Sequence, residues 1–80
     1  MKFTFDSRYN VAYLRFQEKQ AGIESIKVSD ELIVDMAADG TVYGIELLNA
    51  NVQLHREGTG KLLLVNEATN EQTELPLVTS

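Results

Sequence analysis

Asp35 and Glu46 are the two residues of this 80-residue chain best placed to do chemistry together. Both lie in the alternating segment Leu32 to Leu47, which Asp39-Gly40 divides with a hairpin-turn dipeptide. The alternation puts them on the face opposite the apolar set, near one another across the hairpin, with Gly44 leaving bare backbone between them. Two carboxylates in that setting could hold calcium or magnesium, or serve as an acid and base pair. The simpler account makes them the solvated side of a half-buried hairpin, and no oxygen-dense loop of EF-hand type supplies the ligands calcium needs. Arg15 shares a strand face with Val11 and Tyr13, from which its guanidinium could pair with Asp6 or Asp35, lie against Tyr13 or meet a phosphate. No glycine-rich phosphate cradle accompanies it, which favours the ion pair. Asp35, Glu46, Arg15 and Asp39 are therefore the candidate binding residues, and neither a metal nor a cofactor is expected.

Most catalytic kits are missing. The chain has no cysteine, so thiolate nucleophiles, thiolate zinc sites and disulfides are excluded. His55 is the only imidazole, and no neighbouring pattern announces the orienting carboxylate and nucleophile that histidine catalysis uses. Neither a P-loop, a dinucleotide fingerprint nor a Gly-x-Ser-x-Gly elbow is present. An enzyme is not expected. Twelve acidic against seven basic residues give a net charge of -5, the wrong sign for nucleic acid or an anionic lipid surface. No apolar run approaches the length of a membrane span and no secretory leader is visible, so a cytoplasmic location is expected. Charge is unevenly spread: between Lys27 and Arg56 there is no Lys or Arg, while Asp30, Glu31, Asp35, Asp39 and Glu46 fall there. An acidic hairpin face could hold a basic protein partner, although like charge on exposed strands also serves solubility.

The elements that must position these residues are strands. Phe3 and Phe5 alternate with polar residues, Asp6 to Asn10 has turn chemistry, and Val11 to Phe16 returns, which predicts a hairpin over 2–17. A third strand is expected from about Glu24, with Ser29-Asp30-Glu31 as a bulge, a bend or a break. In the central hairpin, a two-residue loop sets Met36 opposite Tyr43, Val34 opposite Ile45 and Leu32 opposite Leu47. An odd loop would split the apolar set between two faces, so an even one is favoured. A short helix is expected near 49–55, with Asn49 as its cap. Beyond Gly58 and Gly60, Lys61 to Val65 and Thr73 to Val78 read as two more strands, and Pro76 confines the last to an edge.

With strands in place, residues 1 to about 54 resemble a small uncharacterised bacterial family, the domains of unknown function numbered 2283. The resemblance rests on Asp6 after an aromatic strand, on Tyr13-Leu14-Arg15-Phe16, on Leu32-Ile33-Val34-Asp35, and on Asp39-Gly40 followed by Gly44-Ile45-Glu46-Leu47-Leu48-Asn49-Ala50. Asn10 departs slightly, since an acidic residue is as common there in the family. The resemblance implies a compact β-rich domain with a short terminal helix and no assigned activity. It also implies occasional placement beside toxin-like genes, which points towards an antitoxin-type role.

The expected fold is mainly β: one domain over 1–80, with a single antiparallel sheet of five or six strands and one short helix. Residues 1–56 form the family-like core and 57–80 a C-terminal hairpin extension. A single sheet in so short a chain leaves apolar surface that one helix cannot cover, and Val11, Tyr13 and Ile33 have the wrong parity for the inner face, so a homodimer is expected. The leading functional expectation is a non-enzymatic protein–protein interaction module, antitoxin-like through its acidic face. A small-ligand or divalent-metal-binding module is the alternative.

Overall fold

A computed structural model describes residues 1–58 and 60–77. Five strands form one antiparallel sheet: β1 (Lys2–Asp6), β2 (Val11–Arg15), β3 (Glu24–Ser29), β4 (Leu32–Met36) and β5 (Val42–Leu48), in the order β1-β2-β5-β4-β3. A helix of one turn, α1 (Ala50–Gln53), follows β5. The chain then makes a separate two-stranded sheet from β6 (Lys61–Asn66) and β7 (Glu71–Pro76). The expected mainly β fold is found, with five strands in the main sheet and the tail as a hairpin apart from it. Val78, at the end of the last expected strand, lies outside the described residues.

Each tight turn has a local cause. Between β1 and β2 the Asp6 carboxylate accepts the Arg8 amide at 2.9 Å and the Arg8 guanidinium at 2.9 and 3.1 Å, and Asn10 closes the turn in the left-handed region at φ 57°. Between β3 and β4 the question of bulge or break resolves as both. A register shift falls between Lys27 and Ser29, and Asp30-Glu31 turns the chain. The even loop expected for the central hairpin is corrected: the Ala37 amide donates to the Thr41 carbonyl at 2.9 Å and closes a three-residue loop, yet Val34 still faces Ile45 and Leu32 faces Leu47. Met36 pairs with Val42 rather than Tyr43, and a bulge at Tyr43 absorbs the odd residue, which restores the parity that keeps the apolar set on one face. The carbonyl freed by that bulge accepts the amides of Phe16 at 2.9 Å and Gln17 at 3.3 Å, which anchors the exit from β2.

Direct pairing carries two apolar rows across the sheet on one face. Phe3, Leu14, Ile45, Val34 and Ile26 form one, and Phe5, Ala12, Leu47 and Leu32 the other. Neither row contains a charged residue. The helix bridges one end of the sheet. Its N-terminus is tied to the β1–β2 turn, since the Asn10 carbonyl accepts the Ala50 amide at 3.1 Å and the Asn10 side chain accepts the Asn51 amide at 2.8 Å. Gln53 reaches the other way, donating to the carbonyls of Leu48 and Glu31. Asn49 holds the expected cap position but caps nothing with its side chain; it sits in the left-handed region at φ 52°, and Asn10 supplies the capping oxygen from 41 residues away. α1 packs on β2, and the two apolar residues fully shut from solvent, Ala12 and Ala50, belong to these two elements. Among the described residues no large side chain is fully buried.

Candidate functional site

The other face of the sheet carries the candidate chemistry. Cross-strand pairing lines up Lys2, Arg15, Gly44, Asp35 and Ser25 in one row and Thr4, Tyr13, Glu46, Ile33 and Lys27 in the next. Asp35, Glu46 and Arg15 therefore share a face, as the alternation requires. Asp39 does not join them: it stays in the β4–β5 turn, where its carboxylate accepts the Thr41 amide at 2.9 Å.

The expected solvation of Asp35 is corrected by the structure, which leaves this residue only 2 % exposed. Three donors replace water. The Tyr13 hydroxyl donates to Oδ2 at 2.6 Å, the Ser25 hydroxyl to Oδ1 at 2.5 Å, and Lys19 Nζ lies 2.9 Å from Oδ2. Lys19 arrives from the loop that carries the chain from β2 to the far edge of the sheet, and its ammonium also stands 5.6 Å from the centre of the Tyr13 ring. Parity places a side chain on a face but says nothing of what a crossing loop lays over it. A carboxylate shut from water in this way needs full compensation, and both oxygens have it.

Gly44 makes the arrangement possible. The Tyr13 side chain leans diagonally from β2 across the bare backbone of Gly44 to reach Asp35 on β4. A Cβ at Gly44 would overlap the phenol, standing 2.6 Å from Cζ and 3.0 Å from the Leu14 carbonyl. The space expected between the two carboxylates is thus filled by an aromatic ring, the known remedy for a glycine inside a sheet. The demand on this glycine is steric, and its φ lies outside the left-handed region.

Electrostatics agree with the geometry. Burial pushes the Asp35 pKa upward, but the hydrogen bonds from Ser25, Tyr13 and Lys19 outweigh it and hold the carboxyl below its ordinary range. The Tyr13 phenol is pushed up to about 12, first by burial and then by its bond to the Asp35 carboxylate. Asp35 is an anion and Tyr13 a neutral donor across the physiological range. Such a locked pair is suited to holding three strands and a loop together, with no oxygen turned outward to a substrate.

The pairing proposed for Arg15 goes to other cations. Asp6 is taken by Arg8 and Asp35 by Lys19, each at 2.9 Å. Arg15 and Glu46 flank Tyr13 closely enough for their charges to act on its phenol in opposite directions. Sequence reasoning missed Lys19 and Ser25. Ser25 was accessible, since the strand register that pairs it with Asp35 follows from alternation; nothing in the pattern could have aimed Lys19. No group of three or more His, Asp or Glu suited to a metal ion exists among the described residues.

The remaining features are committed to structure. At the far end of β5 from Gly44, the His55 ring packs against Gly60 and its Nδ1 lies 2.7 Å from the Asn51 carbonyl. A groove beside it, lined in part by Gln53, Leu54, Arg56 and Lys61, has its cations engaged, Arg56 with Glu31 at 2.7 Å and Lys61 with Glu74 at 2.8 Å. Three of the five carboxylates in the acidic stretch meet a cation: Asp30 pairs with Lys27 at the surface, Glu31 with Arg56 and Asp35 with Lys19. No helix among the described residues is long and apolar enough to cross a membrane.

Compared with known proteins, residues 2–51 match the model of a family described as protein of unknown function, DUF2283. That stretch spans β1 through the start of α1, and the β6–β7 hairpin lies beyond it. No curated protein and no solved structure matches the chain.

Proposed function

The chain belongs to the DUF2283 family, whose description hands on no activity, and we propose that it is a non-enzymatic protein–protein interaction module working through the apolar face of its five-stranded sheet. One observation carries this reading: in a chain with 44% hydrophobic residues, Ala12 and Ala50 are the only apolar side chains completely buried among the described residues, and the apolar rows are half-buried in the middle and exposed at Phe3 and Ile26. Phe3 is 39% exposed and Ile26 40%. Contiguous apolar surface of this kind marks a protein contact in soluble domains. The fully engaged Asp35 site favours structure over turnover. The acidic hairpin contributes less than its sequence implies, because three of its carboxylates are ion-paired within the chain.

Co-expression with the product of the neighbouring gene, followed by affinity capture, tests the reading. The expected result is a stable complex with the wild-type chain that Ile45→Glu abolishes, together with relief of growth inhibition if the neighbour is a toxin. No complex and no growth effect would remove the antitoxin-type form of the proposal. A complex that Ile45→Glu leaves intact would move the working surface elsewhere.

A further inference from the structure

We infer that the occupant of the apolar sheet face is a second copy of this chain, packed face to face about a two-fold axis. The inference rests on the interaction reading above and names the resident partner of the face, which a neighbouring gene's product would meet only in exchange for the second copy.

Surface area is the first argument. The single chain exposes 5974 Å². A compact monomer of its 8.9 kDa should expose roughly 4,800 Å², so the excess is on the order of 1,200 Å². That excess is shared between the main sheet and the separate β6–β7 hairpin, which is exposed along both strands, and a stable interface hides about 800 Å² on each partner.

Charge is the second argument. Two copies of a chain with net charge -5 repel unless the meeting surfaces are free of charge. The central row of Phe3, Leu14, Ile45, Val34 and Ile26 meets that condition, while the opposite face carries Lys2, Arg15, Glu46 and Lys27. A highly basic partner would find nothing on the apolar face to pair with. A two-fold arrangement sets the same patch against itself, so an uncharged, aliphatic surface is self-complementary and the assembly closes at two copies. Two such sheets pack about 10 Å apart, and the dimer becomes a sandwich whose core neither copy owns alone.

Sedimentation velocity on the full chain at about 10 to 100 µM, with ANS fluorescence on the same samples, tests this. Ile45 is the residue to change because β5 is the central strand and Ile45 lies in the middle of its row. The expected results are a particle of twice 8.9 kDa with weak dye binding for the wild type, and a folded, dye-binding monomer for Ile45→Glu, its self-association weakened at least about 100-fold by facing like charges. An equimolar mixture of Ile45→Glu and Ile45→Lys should recover the dimer. If Ile45→Glu loses its β-sheet circular dichroism, Ile26→Glu and Ile26→Lys at the edge strand repeat the exchange. A wild-type monomer that binds dye would overturn the second copy while leaving an open face for another protein. A wild-type monomer that binds no dye would overturn the interaction reading as well. A dimer that survives both substitutions places the contact elsewhere and also overturns the proposal.

Discussion

The two faces of the five-stranded sheet solve the same problem in opposite ways. On one, a carboxylate is sealed from water by a tyrosine, a serine and a lysine that all belong to the same chain. On the other, rows of aliphatic and aromatic residues remain half covered, because α1 is one turn long and β6 and β7 pair only with each other. Polar chemistry thus supplies the internal fastening, and apolar chemistry is left for an external surface. In most small domains the assignment is reversed, with apolar residues inside and charge outside.

Substitutions should separate the two faces. The largest effect on folding is expected for Asp35→Ala, which strips Tyr13 and Ser25 of their acceptor and should cost roughly 2–3 kcal/mol in urea denaturation. A loss under about 0.5 kcal/mol, the size of an ordinary surface change, would mean the network is ornamental. Gly44→Ala comes next, at roughly 1–3 kcal/mol, because the added methyl displaces the Tyr13 phenol from Asp35. In a Tyr13→Ala background the same change should cost far less, and simple additivity of the two would contradict the diagonal packing. Asn10→Asp keeps the acceptor for the Asn51 amide but loses the donor to Asn51 Oδ1, so its cost should stay below about 1 kcal/mol, with Asn10→Ala at about 1–2 kcal/mol. Equal losses for the two variants would take the capping role away from this side chain.

The fastened face also sets the pH range of the fold. Asp35 has a lower pKa folded than unfolded, so its contribution is complete above the unfolded value near 4 and disappears as pH falls through the folded one. Tyr13 has a higher pKa folded, so its contribution is complete below about 10 and is lost as pH rises towards 12. Thermal melts of Asp35→Asn should lack the acid limb, and those of Tyr13→Phe the alkaline limb. A difference titration between wild type and Tyr13→Phe should show one phenol ionising near 12; ionisation near 10 would show that the ring is not held as described.

Alternation made most of the main sheet legible. The β1–β2 hairpin, the start of β3, the Val34–Ile45 and Leu32–Leu47 pairs and the position of α1 all follow from period two, turn residues and the break after Leu47. The Tyr43 bulge could not be read, because the apolar alternation on β5 is the same with or without it. The order of strands was equally hidden, since the β2–β3 crossing depends on loop reach rather than on pattern. At the site, parity brought Asp35, Glu46 and Arg15 together but assigned Asp35 to solvent. What reversed that was Lys19, a loop residue whose direction no periodicity encodes, and the Tyr13 ring, which fills space that Gly44 offered to either a ligand or a side chain.

Because the chain contains no cysteine, a single thiol can report on each face separately. Labelling rates should be compared for Ile45→Cys, in the middle of the apolar row, and Thr4→Cys, exposed on the opposite face at the sheet edge. Open apolar surface met by another copy predicts rapid labelling of Ile45→Cys in dilute solution and at least about tenfold protection as concentration rises through association, with Thr4→Cys unchanged. Protection of Ile45→Cys that is already complete at the greatest dilution would mean that the chain covers this face itself, and the contrast between the two faces would be lost.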